Sequence, residues 1–199
     1  MSTIGEETER TIFKRHVGEV CAGLGLLGCA SYHLTNEEIL FDKMMRETRP
    51  VCRTTNAVNQ NYTVMRDRLL PGLLKILSEN KHHDYPQKLF EIGETIQRAG
   101  NNIKEEDWIA MASCHANSDY SEARSLCEAL FREIGEECEF CPTRQSSFIP
   151  GRVAEIVYKG KPIGVVGEIH PQVLNNFEIE LPIAAFEINL ESLKRKQKD

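Results

Sequence analysis

The sequence contains no long apolar run. None approaches the roughly 18 residues that a membrane-spanning helix requires. Glu6, Glu7 and Glu9 stand near the start, where a secretory signal peptide would carry basic and then apolar residues. We therefore expect a cytoplasmic protein with no membrane contact.

The short motifs that mark common catalysts are also absent. The chain has no P-loop, no G-x-S-x-G and no H-E-x-x-H. Residues 23–28 do match G-x-G-x-x-G, but a dinucleotide-binding fingerprint follows a strand and opens a helix, whereas these glycines follow a helical pattern. We interpret them as the C-terminal end of that helix. The residues by themselves identify no catalyst.

An excess of basic residues is missing as well. The net charge of −6 disfavours a general nucleic-acid-binding surface, which is normally basic. Residues 43–75 are an exception, with seven Lys or Arg against two acids. This basic segment either contacts phosphates or an acidic partner, or it is a solvated face, which is the commoner case.

The seven cysteines are an odd number, and without an export signal we expect reduced thiols. Cys138 and Cys141 have the spacing of a zinc knuckle, but no second C-x-x-C or His pair follows. Cys114 and His115 would in principle complete a four-ligand site. Small apolar residues on a strand are the more frequent explanation, so no metal site is predicted.

The 199 residues suffice for one domain with a substantial core, since 41% of them are hydrophobic. We predict a single domain over 1–199 in which 192–199 form a frayed basic tail. Helical periodicity predicts a long amphipathic helix from Ile12 to Leu24, with a capping box at Thr3–Glu6. Further helices are predicted after Thr35, from Pro71 to Asn80, after Asp119 as far as Gly135, and at Pro171–Leu174.

Strands are predicted between these helices. Alternation over 89–95 places Phe90 and Ile92 on one face and Glu91 on the other, which predicts a sheet with one dry and one working face. The remaining predicted strands are Cys29–Leu34, Trp108–Cys114, Val153–Tyr158, Ile163–Ile169 and Ala185–Leu190, with Lys159–Pro162 as a four-residue hairpin connection. The pattern indicates an α+β fold.

Three predicted strands each place a glutamate among apolar neighbours: Glu91, Glu168 and Glu187. If the strands adjoin in one antiparallel sheet, these carboxylates can share a face, with Arg66 and Arg152 as candidate partners. The face then either binds a ligand, or it is the wetter side of the sheet and the arginines satisfy the carboxylates, which is the commoner arrangement.

Several blocks of the sequence carry a family resemblance. In order and spacing they resemble the C-terminal, catalytic-like module of the phenylalanyl-tRNA synthetase beta subunit of the archaeal or eukaryotic type, and together they extend over nearly the whole chain. The blocks are Tyr62–Arg66, Leu69–Leu74, Phe90–Gly93, Phe148–Ile156, Ile163–Pro171 and Pro182–Leu190.

The resemblance implies a fold and a set of partners. The synthetase is an (αβ)₂ heterotetramer that attaches phenylalanine to tRNA(Phe) with ATP and magnesium, and its alpha subunit carries the active site. The beta module is similar to a class II synthetase domain, an antiparallel sheet flanked by helices, with a degenerate active site, and it packs against alpha. Residues 8–34 resemble the class II dimerisation motif. The candidate subunit interface is the stripe Ile12, Phe13, Val17, Val20 and Leu24.

The departures from the class II pattern bear on catalysis. Class II chemistry uses two arginines to hold ATP while charge develops on its phosphates. Arg66 lies near the place of the first, but Asp67 and Arg68 replace the usual arginine-x-glutamate pattern, and the second arginine is missing around 164–169. We therefore expect no cofactor, metal or catalytic residue in this segment. The editing, magnesium-binding and tRNA-contacting parts of the family would precede Met1.

Three hypotheses follow from these residues and from the resemblance. The first is a non-catalytic module that binds the alpha subunit. The second is a free-standing paralogue that dimerises with itself and binds an amino acid or nucleotide. The third, an active ligase, is disfavoured by the missing arginines. Co-purification with alpha separates the first two, and ATP–pyrophosphate exchange tests the third.

Overall fold

The computed structural model describes residues 5–57, 59–100 and 102–193. Thr3 of the predicted capping box and residues 194–199 of the predicted tail lie outside these ranges. The first helix is capped instead by Thr8, whose side-chain oxygen accepts a hydrogen bond from the Thr11 N–H at 3.2 Å. Within the described residues, no helix combines the length and apolarity needed to cross a membrane.

Helices and strands alternate along the chain. The helices are α1 (Glu9–Gly23), α2 (Leu70–Glu79), α3 (Tyr120–Glu133) and α4 (Pro171–Asn176), with a π-helix at Glu38–Asp42 and a 3-10 turn at Leu190–Ser192. The strands are β1 (Leu27–Gly28), β2 (Leu34–Thr35), β3 (Val64–Met65), β4 (Gln87–Ala99), β5 (Asn102–Cys114), β6 (Glu139–Pro142), β7 (Phe148–Tyr158), β8 (Lys161–Ile169) and β9 (Ile183–Asn189).

Within the described residues, the main sheet has seven strands in the order β1-β4-β5-β9-β8-β7-β6. All neighbours in it are antiparallel except β1 and β4, which pair in parallel at one edge. The predicted antiparallel sheet is therefore present, with one parallel pair added at this edge. A parallel pair requires a crossover connection, and the 58 residues between β1 and β4, which include α2, supply it.

Both faces of the sheet are covered by helices. On the α2 face, α2 and α4 pack against Leu89, Ala110 and Ala185. On the opposite α3 face, α1 and α3 pack against Phe90 and Ile109. The predicted alternation of β4 is confirmed, but the predicted contrast between a dry and a working face is wrong, because each face buries its own hydrophobic cluster.

Two local predictions need correction. The strand expected at Cys29–Leu34 is replaced by the short β1 and β2, since Gly25 (φ +82°) ends α1 early enough for the chain to reach β4 at Leu27. The β7–β8 connection has two residues, not four. Its turn residues Lys159 and Gly160 have φ of 50° and 73°, and positive φ at both positions is what a type I′ hairpin turn requires.

Candidate functional site

Glutamates from three strands point to the α2 face in one row. Glu91 of β4 and Glu187 of β9 both lie opposite Ala110 of β5, and Glu155 of β7 lies opposite Val165, which is also the partner of Glu187. Because directly paired residues share a face, the row crosses five strands, and its carboxylate-bearing strands are roughly 10 Å apart. This row is the polar centre of an otherwise apolar surface.

Arg66 occupies the Glu91 end of the row. Its Nη1 lies 2.5 Å from the Glu91 carboxylate and also donates to Ser31, and its Nε donates to the Glu94 carbonyl at 2.9 Å. Only 5% of the Arg66 side chain is exposed. Gly93 of β4 leaves the space in which this guanidinium lies, since a Cβ there would overlap it. The predicted pairing of Arg66 with a sheet glutamate is present, and it links three separate segments.

Glu187 occupies the centre of the row. Its Oε1 accepts hydrogen bonds from the N–H groups of Leu69 and Leu70 at 2.6 and 3.2 Å, at the N-terminus of α2. A helix N-terminus has free N–H donors and favours an anion, and here a carboxylate of the chain itself fills that position. Arg68 lies next to it, with Nε 3.8 Å from Glu187 Oε2 and its guanidinium carbon 4.2 Å from the centre of the Trp108 ring.

Glu168 does not join the row. It lies opposite Ala184 on the α3 face, where it accepts a hydrogen bond from the Tyr120 N–H at 2.9 Å and pairs with Arg152 at 2.7 Å. The prediction of one face shared by three glutamates is therefore wrong for Glu168. Glu168 lies three positions after Val165 along β8, and an odd offset places its side chain on the other face of the sheet. Its predicted partner Arg152 is correct.

A cavity of about 420 Å³ opens above the row. Its charged lining residues are Arg46, Arg68, Lys104, Glu106, Glu155 and Glu187, and Trp108 forms part of its wall. Of these, only Glu187 was predicted as a site residue. The alternation Val153–Glu155 along β7 was the available signal for Glu155, because it places that carboxylate on the same face as a core valine.

The basic segment 43–75 is neutralised within the chain. Each of its seven cations lies 2.5–3.9 Å from a carboxylate. Asp67 is the most buried of these acceptors and holds both Arg46, at 2.9 and 3.0 Å, and Arg49. Burial acts to raise the pKa of Asp67, but the hydrogen bonds and charges of the two arginines outweigh it, so this pKa lies below its ordinary value. These ion pairs favour the interpretation of a self-satisfied surface.

The four-ligand metal site considered for Cys114, His115, Cys138 and Cys141 is excluded by the topology. Cys114 ends β5, whereas Cys141 lies on β6, and three strands separate the two in the sheet. Within the described residues, no group of three or more His, Cys, Asp or Glu is placed to hold a metal ion. His115 instead contacts Glu122 at 2.8 Å, and Glu122 also binds Lys88.

The predicted interface stripe turns mostly inward. Val17 is fully buried in the α3-face cluster, and Phe13, Val20 and Leu24 pack against that cluster, while Ile12 remains 45% exposed. The buried part of the stripe belongs to the core of this chain. Ile12 is the exposed residue of the stripe, and an interface there stays a prediction. A different apolar surface lies nearby, where Leu27 of the edge strand β1 and Tyr32 are 68% and 76% exposed.

The comparison with a family model covers almost the whole chain. Residues 1–190 match the model described as the phenylalanyl tRNA synthetase beta chain CLM domain. The phenylalanine–tRNA ligase beta subunit of Thermococcus sibiricus is 37% identical over 182 residues, which are 89% of this chain and 32% of that protein. The corresponding subunit of Archaeoglobus fulgidus is 38% identical over 86% of this chain. The chain thus spans about a third of the length of these relatives.

The fold has a counterpart among solved structures. A pyrrolysyl tRNA synthetase from Desulfitobacterium hafniense superimposes with a TM-score of 0.74 over 93% of this chain and 67% of that chain, at 14% sequence identity. Identity this low shows the fold alone. The predicted class II synthetase-like α+β architecture, a sheet flanked by helices, is confirmed.

Proposed function

Because the chain belongs to the phenylalanyl tRNA synthetase beta chain CLM domain family, we propose that it is a non-catalytic module that binds the alpha subunit of phenylalanyl-tRNA synthetase. In that role it supports the attachment of phenylalanine to tRNA(Phe) with ATP in an (αβ)₂ assembly in the cytoplasm. ATP and magnesium are required by the whole synthetase and are not bound by this segment.

The observation that carries the proposal is the open edge of the sheet at β1. Among the residues that the structure describes, strand β1 pairs with β4 alone, and its residues Leu27 and Gly28 are exposed. Leu27 and Tyr32 add apolar surface along this edge, and Ile12 of α1 adds more. An apolar edge strand with unpaired backbone groups favours association, because it can both pair its N–H and C=O groups and bury its side chains.

The arginines of the chain support the non-catalytic part of the proposal. Binding a triphosphate requires cationic side chains whose N–H donors are free to form hydrogen bonds with its oxygens. Arg66 is buried and bound to Glu91, and Arg46 is held by two bonds from Asp67. Glu187 fills the anion position at the N-terminus of α2. Arg66, Arg46 and the donors at the N-terminus of α2 are thus committed to internal carboxylates.

Co-expression with the alpha subunit tests the binding. We expect a stoichiometric complex, and we expect Leu27→Asp to weaken it because a carboxylate would be buried at the interface. Ile103→Asp is the matched control, since Ile103 is 65% exposed on the β4–β5 hairpin, away from β1. If Leu27→Asp and Ile103→Asp behave alike, β1 is not the interface.

The second hypothesis, a self-associating paralogue, uses the same edge and makes a different prediction. Analytical ultracentrifugation of the chain with and without alpha distinguishes the two. A homodimer that persists in the presence of alpha contradicts the proposal. ATP–pyrophosphate exchange dependent on phenylalanine, measured with this chain alone, would contradict its non-catalytic part.

A further inference from the structure

The cavity on the α2 face contains a carboxylate that no cation of the described chain neutralises. The cationic residues in its lining each face an acid: Arg46 binds Asp67, Lys104 binds Glu106, and Arg68 lies beside Glu187. Among the described residues, Glu155 has no partner for a hydrogen bond or an ion pair. Glu155 is therefore the lining carboxylate that has no partner among the described residues.

The position of Glu155 makes this charge significant. It lies near the middle of β7, on the same face as Val153 and opposite Val165, both of which are buried. Glu155 itself is half-buried. A carboxylate partly removed from water is destabilised unless a cation or hydrogen-bond donors reach it. On a solvated edge this cost would be absent, so a ligand that brings a positive charge gains more here than at the surface.

Arg68 supplies a second unused feature of the same cavity. Its distance of 3.8 Å from Glu187 is too long for a hydrogen bond, and its guanidinium makes no hydrogen bond to any described residue. The guanidinium lies over the Trp108 ring, a contact that uses the charge of the group and leaves its N–H groups as donors. The cavity therefore offers a ligand the unpaired carboxylate of Glu155 and the hydrogen-bond donors of Arg68.

We propose that this cavity binds a small organic monocation that also carries a hydrogen-bond acceptor. The ammonium group contacts the Glu155 carboxylate, and the carbonyl or hydroxyl oxygen accepts from Arg68. A volume of about 420 Å³ accommodates a molecule of this size. The site is separate from the β1 edge, so it goes beyond binding of the alpha subunit and stands or falls independently of it.

Trp108 provides the readout, because it is the single tryptophan of the chain and lies in the cavity wall. The probe is L-alaninamide hydrochloride, a monocation with one amide, titrated into the intact 199-residue chain while the Trp108 indole N–H resonance and fluorescence are followed. We expect a saturable change. Glu155→Gln should weaken the affinity about tenfold or more, since the ammonium then meets a neutral amide.

Matched ligands and variants make the test decisive. Glu139→Gln, which removes an exposed carboxylate on the neighbouring β6, should bind the probe like the wild type. Glu155→Asp retains the charge and should retain binding. N-acetyl-L-alaninamide, which has the same amide without the ammonium, should not bind, and this comparison needs only the wild-type chain.

Three results would overturn the proposal. They are a Trp108 signal that does not saturate with L-alaninamide, an equal affinity for the acetylated amide, and a folded Glu155→Gln chain that binds like the wild type. Circular dichroism of each variant establishes that it is folded. Co-elution of Glu155→Gln with the alpha subunit should be unchanged, so failure at this site is distinguishable from failure at β1.

Discussion

The three glutamates that form the row on the α2 face have different roles. Glu91 neutralises a buried arginine, Glu187 caps a helix, and Glu155 remains open to the cavity. Their chemistry is identical, so the difference comes from what each strand neighbour brings within reach. Of the three, the contact of Glu91 with Arg66 is the one on which folding depends most, because it holds an ion pair away from water.

Glu91→Gln should destabilise the chain by about 3–5 kcal/mol, since it leaves the Arg66 guanidinium buried without a counter-charge. Urea unfolding followed by circular dichroism measures this. Glu19→Gln is the control, because it removes a carboxylate from the exposed pair with Arg15 on α1 and should leave stability unchanged. Equal effects of the two substitutions would show that the buried pair is not a major contributor.

The thiols should react in an order set by exposure and pKa. Burial raises the pKa of Cys21 to about 12 and that of Cys114 to about 11, whereas the neighbouring Cys127 thiol lowers the pKa of Cys138. Cys141 is exposed. At about pH 8, iodoacetamide should therefore modify Cys141 and Cys138 before Cys21 and Cys114, as mass spectrometry of peptides would show. Early labelling of Cys21 would contradict the packing of α1.

At the scale of elements, the ends of the helices follow simple rules. Helix α3 begins after Asp119, whose side chain accepts a hydrogen bond from the Glu122 N–H at 2.8 Å, and it ends before Gly135 with φ of 75°. Helix α2 begins differently: Leu69 offers no side-chain cap, and the donors of its first turn go to Glu187 of β9. One helix is capped locally and the other by the sheet.

Asp119→Ala should lower the free energy of unfolding by about 1 kcal/mol, because the first turn of α3 loses its cap. Thermal unfolding measures the change. Ser121→Ala is the matched control: it is exposed in the same turn, and its side chain makes no hydrogen bond within the described chain. A loss of similar size in Ser121→Ala would show that the effect is not specific to the cap.

At the scale of the whole molecule, the sheet is closed on both faces and open at its β1 edge. The helices of the α2 and α3 faces bury the two hydrophobic clusters, whereas the β1 edge and the cavity are accessible to partners. Within the segment before β4, the buried carboxylate of Asp67 holds Arg46 and Arg49 together. Stability should therefore depend on the charge of that carboxylate.

The pKa of Asp67 is lower in the folded chain than in an unfolded one, so its stabilising contribution is present above about pH 4 and is lost as the pH falls through the folded value. Asp67→Asn should be less stable than the wild type at neutral pH, and the difference should narrow in acid. Urea unfolding at several pH values measures this. Asp84→Asn, at an exposed position, should show no such convergence.

Much of this protein follows from local sequence patterns. The period of the apolar residues determined α1, α2 and α3, the alternation over 89–95 determined the two faces of β4, and Asp119 and Gly135 determined the ends of α3. Arg66 and Arg152 were also identified as candidate partners of the sheet glutamates, because buried carboxylates require cations.

Tertiary structure alone decided the rest. Which face Glu168 occupies depends on strand register, and a shift of one residue reverses it. The parallel pairing of β1 with β4 and the occupation of the α2 N-terminus by Glu187 involve residues more than 50 positions apart. Sequence spacing carries no information on such contacts. They arise when strands distant along the chain become neighbours in the sheet.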